Sequence, residues 1–160
     1  MDREELGRQA WEMRAALLRL AMSILKRPQD AEDAVSDAIV RAFVRLDTLR
    51  NDAAVRAWLM KITVHCCYER ARRSRRESLH EDVEPLCQPV WPREEGALLE
   101  QITALPDGER EALLLYYYEG FCVKDVAQVL GLPRPAASMR LSRGRRRLRE
   151  MLQKEGRDCL

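Results

Sequence analysis

Apolar residues recur every three or four positions along most of this sequence, and that spacing limits the fold more than any other feature. A half-buried strand would instead place an apolar residue at every second position. No segment of the sequence sustains that alternation. The sequence therefore predicts an all-α protein. The spacing begins with Leu6, Ala10, Met13, Leu17, Leu20 and Ile24.

Three helical segments are expected in residues 1–76, which we predict to form one small domain. The first helix should run to about Lys26, where Pro28 ends it. Asp30 should cap the second helix and Asp52 the third, because a short acidic side chain can accept from the first free N–H groups of a helix. The predicted inward faces are Val35, Ala38, Ile39, Ala42, Phe43 and Leu46 on the second helix, and Val55, Trp58, Leu59, Ile62 and Cys66 on the third.

Residues 77–93 differ from the sequence on either side of them. They contain three prolines, several acidic residues and no sustained periodicity, which is typical of an extended linker. Helical spacing returns in residues 94–160. There we expect a helix with Pro106 in its first turn and Gly120 just beyond its last, and then a short helix that ends at Gly131. The sequence thus predicts two small helical domains joined by an acidic, proline-containing linker.

The last helical segment, Arg134–Lys154, carries eight Arg or Lys residues and one acid. Before it, Ala127 and Gly131 are four positions apart, as in a tight helix-helix turn, where glycine adopts the left-handed conformation. This pattern predicts a helix-turn-helix, whose second helix enters the DNA major groove. A merely solvated basic face is the alternative. The predicted inner stripe is Ala137, Leu141, Gly144, Leu148, Met151 and Leu152; the predicted DNA-facing residues are Ser138, Met139, Arg140, Ser142, Arg143 and Arg146.

A second basic surface is expected on the third helix. Aromatic and basic side chains share one stripe there, an arrangement that can hold a nucleic-acid backbone and stack an unpaired base. We therefore expect single-stranded or opening DNA as a ligand. The alternatives are that the tyrosine only seals the domain edge and that the histidine is an ordinary surface residue. The residues on the stripe are Lys61, His65, Tyr68 and Arg72, and Arg73 follows them.

The outer side of the second helix combines acidic and aliphatic residues. Asp33, Asp37 and Arg41 lie beside Val40 and Val44, which the predicted core stripe does not require. Carboxylates repel phosphate, and exposed valines suit a protein partner. This surface therefore predicts a protein contact, unless the two valines are simply tolerated in solvent.

Other function classes find little support in the sequence. Five cysteines, odd in number and without a C-x-x-C pair, fit a reducing compartment better than a disulfide framework. No metal site, cofactor site or catalytic constellation is predicted, since the two histidines, His65 and His80, stand in dissimilar contexts. No apolar run is long enough to cross a membrane, so we expect a cytoplasmic protein without membrane insertion.

With these residues in view, the sequence resembles the bacterial RNA polymerase sigma factors of the extracytoplasmic function (ECF) group. "DAEDAVSDAIVRAF" and "RAWLMKITVHCCYERARRSRR" are similar to the second conserved region of that family. "LPDGEREALLLYYYEGFCVKDVAQVLGLP" and "MRLSRGRRRLREML" are similar to its fourth. The resemblance covers nearly the whole chain in the right order, with a linker where the family has one.

The resemblance implies a role for each surface. The second helix would dock on the clamp helices of the largest catalytic subunit of core RNA polymerase. The final helix would read the -35 element of promoter DNA as a duplex. The acidic linker would run toward the active centre of the polymerase, and an anti-sigma factor is a possible further partner. The third helix, together with Leu49, Arg50 and Asn51 in the loop before it, would capture and melt the -10 element into single strands.

Three departures from the family pattern bear on specificity. His65 stands where the family commonly has Asn, and "PAASMR" replaces a typical "GTVKSR", so that Pro135, Ala136 and Ser138 differ. Cys122 occupies the position of a capping Ser.

The expected function is that of a non-enzymatic transcription initiation factor. The alternatives are a stand-alone helix-turn-helix regulator and a sigma-like subunit that needs a second protein.

Overall fold

Residues 1–78 and 96–156 are described by a computed structural model of the chain, and all regular structure within these ranges is helical, as the apolar spacing predicts. The chain divides into two units, Met1–Pro89 and Val90–Leu160, each with its own core. Glu77 still belongs to a helix of the first unit. The rest of the predicted linker, with His80 and Cys87, lies outside the described residues, as does Cys159.

Helices α1 (Arg3–Glu12), α2 (Arg14–Leu25), α3 (Pro28–Val44) and α4 (Val55–Ser78) form the described part of the N-terminal unit. Short 3-10 turns at Leu46–Thr48 and Asp52–Ala54 connect α3 to α4. Helices α2, α3 and α4 pack against one another. Small side chains on α3 allow this close packing: Ala31, Ala34, Ala38 and Ala42 are all buried. The larger residues Leu17 and Leu20 of α2 and Leu59 and Met60 of α4 are buried as well.

The first predicted helix is wrong in its extent, because the structure divides it at Met13 into α1 and α2. Helix α2 ends at Leu25, where Lys26 takes the left-handed conformation with φ 62°. Pro28 does not end a helix but opens α3, since a proline at the first position gives up an N–H that has no partner there anyway. Asp30 therefore lies in the first turn of α3 instead of capping it.

Asp52 does not cap α4, because a 3-10 turn, Asp52–Ala54, comes before that helix and is capped by Asn51. The side chain of Asn51 accepts a hydrogen bond from the N–H of Ala53 at 3.0 Å, and Asp52 instead pairs with the α-amine of Met1 at 3.0 Å. Burial on α4 is wider than a single stripe because α2 and α3 both pack on it. The buried residues are Val55, Leu59, Met60, Thr63, Val64, Cys66 and Cys67, whereas Trp58 and Ile62 are half-buried, as are Ile39, Phe43 and Leu46 of the predicted α3 face and the turn after it.

The described part of the C-terminal unit contains α5 (Gly96–Thr103), α6 (Asp107–Leu113), a π-helical turn (Leu114–Tyr118), α7 (Val123–Leu130) and α8 (Arg134–Lys154). Pro106 is the residue before α6 and not part of its first turn, which corrects the prediction. Gly120 and Gly131 both have positive φ, of 72° and 67°, and Gly131 caps α7 as predicted. The apolar stripe of α8 is buried at Ala137, Leu141, Gly144, Leu148 and Leu152, and Met151 is half-buried.

Helices α6 and α8 pack closely against each other in this unit. A Cβ atom added to Gly144 would lie 3.0 Å from Leu113, whose side chain is fully buried. Arg110 is buried as well, and it donates to the carbonyl oxygens of Thr103 and Leu105 at 3.3 and 3.1 Å. The hydrogen bonds of Arg110 stabilise the turn between α5 and α6, and α6 in turn packs on α8.

Candidate nucleic-acid and protein interfaces

The outward side of α8 carries a compact polar and basic surface. Gly131, Leu132 and Pro133 make the tight connection from α7, so the N-terminal turns of α8 follow directly from the helix-helix turn. Arg140 is half-buried, and a Cβ atom added to Gly108 at the start of α6 would lie 3.0 Å from its guanidinium carbon. The other predicted residues are exposed: Ser138, Met139, Ser142, Arg143 and Arg146. We call these five residues the recognition face.

Two other arginines of α8 are engaged inside their own unit. The Nε of Arg145 donates to the Tyr117 hydroxyl at 2.7 Å, and its guanidinium lies over the rings of Tyr116 and Tyr117. The Nε of Arg147 lies 3.0 Å from a carboxylate oxygen of Glu109. The arginines of α8 therefore form two groups: some bind residues of their own unit, and others face outward. Sequence reasoning missed this division, for which the run of three tyrosines was the available signal.

The exposed side of α4 brings the predicted basic and aromatic residues together. Lys61, His65, Tyr68 and Arg72 follow one another at steps of four, three and four along one continuous helix, opposite its buried side. Tyr68 is half-buried, and the other three are exposed. Arg73 is also exposed, about 100° further round the helix. We call this set the α4 stripe.

The loop before α4 is only partly available for a ligand. Leu49 is half-buried, whereas Arg50 and Asn51 are exposed. The side-chain oxygen of Asn51 is already used to cap the turn at Asp52–Ala54. Of the loop residues implied by the resemblance, Arg50 therefore presents its side chain most freely.

The predicted protein-contact surface lies along the outer side of α3. Asp33 and Asp37 are about half exposed, and Arg41 is half-buried. Val40 and Val44 are 63% and 74% exposed, which is unusual for valine and leaves a small apolar patch between charged groups. We call these five residues the α3 stripe.

Two residues that sequence reasoning missed connect the α3 stripe to α4. Arg70 donates to Asp37 at 2.9 Å and lies 3.8 Å from Asp33. Glu69 accepts from Arg41 at 2.6 Å, and its other carboxylate oxygen lies 3.1 Å from Nε2 of His65. The sequence signal was a single acid in an otherwise basic run, but spacing alone does not say which helix it faces.

These contacts set the charge states at the boundary of α3 and α4. The hydrogen bond from Arg41 lowers the pKa of Glu69, and nearby Arg73 and His65 add to that effect. The same hydrogen bond raises the pKa of Arg41. Both groups therefore stay ionised at neutral pH. Burial raises the pKa of the Cys66 thiol, which keeps it protonated.

Neither a metal centre nor a membrane span can be assembled from the described residues. No group of three or more His, Cys, Asp or Glu residues in residues 1–78 and 96–156 could hold a metal ion. Within the same ranges, no helix is both long and apolar enough to cross a bilayer. Cys66, Cys67 and Cys122 are free thiols.

Comparison with known proteins gives a family match in each of the two units. The family model for Sigma-70 region 2 matches residues 12–77, and that for Sigma-70 region 4 matches residues 95–148. The ECF RNA polymerase sigma factor SigM of Mycobacterium tuberculosis is 32% identical over 139 residues, which cover 85% of this chain and 71% of that protein.

Solved structures give the same result. The sigma factor RpoE in complex with the anti-sigma factor NepR, from Bartonella quintana, aligns with a TM-score of 0.82 and 26% identity, covering 94% of this chain and 98% of that one. CnrH in complex with the cytosolic domain of CnrY aligns with a TM-score of 0.67 and 25% identity, covering 96% and 90%. The two family matches together span most of the sequence, one in each unit. The chain therefore belongs to the ECF group of the sigma-70 family of RNA polymerase sigma factors.

Proposed function

We propose that each surface described above makes one contact in the initiation complex. As a sigma factor, the chain binds core RNA polymerase and directs it to specific promoters. In our proposal the α3 stripe docks on the polymerase, the α4 stripe with Arg50 captures the -10 element, and the recognition face reads the -35 element. The corresponding modules are the predicted domains 1–76 and 94–160 on either side of the predicted linker, of which Glu77 still belongs to α4.

The observation that carries the proposal is the presence of both family regions on one chain, in order, each with an exposed surface of suitable chemistry. A stand-alone helix-turn-helix regulator would need the C-terminal surface only. Exposed valines flanked by Asp33 and Asp37 suit a protein and not a phosphate backbone, which supports docking through α3.

Promoter opening would follow from differential binding. Lys61, Arg72 and Arg73 can hold the phosphate backbone, and Tyr68 offers an aromatic ring on which an unpaired base can stack. Contacts that form only with unpaired bases favour the open duplex over the closed one, since a ligand shifts an equilibrium toward the state it binds better. No reaction of its own is needed, so we propose a non-enzymatic subunit that acts in the cytoplasm, where polymerase and template are found.

The recognition face should combine base readout with positioning. Arg143 is suited to the paired acceptors of guanine, and Met139 and Ser138 lie near the start of the helix, where base edges are closest. Arg140, which is half-buried, would reach phosphate from the side of the helix. Because Pro135, Ala136 and Ser138 depart from the family pattern, the -35 sequence read here should differ from that of typical members.

Control by an anti-sigma factor is a further part of the proposal. The solved relative RpoE is bound to the anti-sigma factor NepR, and CnrH is bound to the cytosolic domain of CnrY. We expect a protein of this class to bind the present chain and to keep it from the polymerase.

Run-off transcription with sigma-free core polymerase and a library of promoter fragments tests the proposal. The chain should start transcripts from a subset of fragments, and D33K/D37K should abolish both core binding and transcription. E32K is the matched control, because Glu32 is an exposed acid on α3 about 100° round the helix from Asp33. R70Q is the second control, since it breaks the same ion pairs and keeps both carboxylates.

Three outcomes separate the candidates. Core binding that survives D33K/D37K with an unchanged circular dichroism spectrum would overturn docking through α3. Duplex binding without any association with polymerase would favour a stand-alone regulator. Transcription that starts only after a second protein is added would favour a sigma-like subunit that needs a partner.

A further inference from the structure

One carboxylate joins the two surfaces of the N-terminal unit. Glu69 lies on α4 beside the α4 stripe, and its two oxygens contact different partners. One oxygen accepts from Arg41 of the α3 stripe at 2.6 Å, and the other lies 3.1 Å from Nε2 of His65 in the α4 stripe. The Glu69 and Arg41 side chains are each about 30% exposed, so the pair is partly shielded from solvent.

The position of this acid is unfavourable for DNA binding unless its charge is compensated. Residues 69–76, "ERARRSRR", contain one acid and five arginines. A bare carboxylate there would repel phosphate. Pairing with Arg41 neutralises it, and the lowered pKa of Glu69 agrees with a tightly held pair.

The pairing also restricts two side chains that would otherwise sample several rotamers. Arginine has a large side-chain entropy, and a charge-assisted hydrogen bond removes part of it before a ligand arrives. His65 is 59% exposed, and its contact with Glu69 limits the orientations of its ring. A group that is already held in place binds its partner with a smaller ordering cost.

We propose that Glu69 is a positioning residue that orients Arg41 for the polymerase and His65 for the -10 element with the same carboxylate. This inference rests on the proposed function of the α3 stripe and the α4 stripe. It assigns a role to a residue that need not touch either ligand. It also means that the polymerase contact of Arg41 and the -10 contact of His65 both depend on the carboxylate of Glu69.

The substitution E69Q tests this role. Glutamine has the same shape, but it lacks the charge and offers only one accepting oxygen, so it cannot serve both donors. Two measurements are needed: the affinity of the full chain for core polymerase, and the affinity of the assembled holoenzyme for a single-stranded -10 oligonucleotide. We expect E69Q to weaken each about two- to fivefold, the range of partly exposed charged pairs.

Background variants separate positioning from a general structural effect. In an R41A background, E69Q should have no further effect on polymerase affinity. In an H65A background, it should have no further effect on oligonucleotide affinity. The matched control is E77Q, which makes the same change at an exposed acid of the same helix and should leave both affinities unchanged.

Failure takes distinct forms. If E69Q behaves like E77Q, or if its losses persist undiminished in the R41A and H65A backgrounds, Glu69 does not position these residues. If the wild-type chain itself does not bind core polymerase, the proposed function fails and this inference fails with it.

Discussion

Single charged residues at the boundary of α3 and α4 do more for geometry than for stability. The pairs Arg41–Glu69 and Arg70–Asp37 are partly exposed, and such pairs typically contribute about 0 to 1 kcal/mol. Each of them nevertheless connects a residue of the α3 stripe to α4. Their main consequence is therefore the orientation of side chains that ligands meet.

The stability contribution of Glu69 should depend on pH in a defined direction. The pKa of Glu69 is lowered in the folded protein, so its contribution is present above the pKa of the unfolded chain, about 4.3. It is lost as the pH falls through the lower, folded value. E69Q should thus reduce the free energy of unfolding at pH 7 by at most about 1 kcal/mol, and the difference from wild type should shrink as the pH falls from neutral through that unfolded value and below. Urea titrations at several pH values measure it.

A constant difference across that pH range would mean that the substitution acts through packing and not through charge. E77Q again provides the control, because it makes the same change at an exposed acid of the same helix. The comparison also shows whether the binding losses expected for E69Q arise from a less stable fold.

At the scale of helices, two close approaches determine which faces remain for ligands. Alanines on α3 bring α2 and α4 near, and this leaves the aspartates and valines of α3 on the outside. In the C-terminal unit, Gly144 lets α8 approach α6. The recognition face then points away from the core because the opposite side of α8 is fixed.

The substitution G144V tests the second approach. A new side chain would meet Leu113, which is fully buried and has no room to move, so we expect a loss of about 1 to 3 kcal/mol in the free energy of unfolding. S142V places the same residue on the exposed side of α8 and should change stability by no more than about 0.5 kcal/mol. Urea unfolding followed by circular dichroism distinguishes them. Equal effects of the two variants would contradict close packing of α6 and α8.

The arginines of α8 have two different kinds of environment. Arg145 and Arg147 bind groups of the π-helical turn and α6, whereas Arg143 and Arg146 face outward. The division follows from the helical period, which turns successive arginines toward different neighbours. Charge along the sequence therefore overstates the charge available to DNA.

At the scale of the molecule, the net charge of +2 does not explain DNA binding, because 26 acidic residues nearly balance 28 basic ones. Placement does: basic residues concentrate on the α4 stripe and on α8, and acidic residues lie on α3. Such separation lets one nearly neutral chain attract a nucleic acid on one surface and a protein on another.

Binding of the full chain to a duplex carrying its -35 element should therefore depend strongly on salt. If α8 neutralises about four phosphates, affinity should fall on the order of a hundredfold between 50 and 200 mM salt. R146A should reduce the slope of log affinity against log salt by about 1. R147A should leave the slope nearly unchanged, because Arg147 is engaged with Glu109. Fluorescence anisotropy measures both slopes, and equal slopes for the two variants would contradict the division of α8 described above.

The amino-acid sequence by itself determined the helical class, the apolar stripe of α8, the end of α7 at Gly131 and the family. Helical period, glycine conformation and motif spacing are local properties, so they can be read without the fold. The sequence did not predict the break at Met13 or the start of α3 at Pro28. Helix ends depend on competing local interactions that differ by little in free energy.

Only the tertiary structure decided which charged groups meet. Glu69 lies 28 positions from Arg41, and Arg70 lies 33 positions from Asp37. Nothing in the spacing along one helix specifies the register of its neighbour, which is set by how the alanines of α3 and the large residues of α2 and α4 pack together. The connection of the α3 stripe to the α4 stripe through the carboxylate of Glu69 is a consequence of that packing.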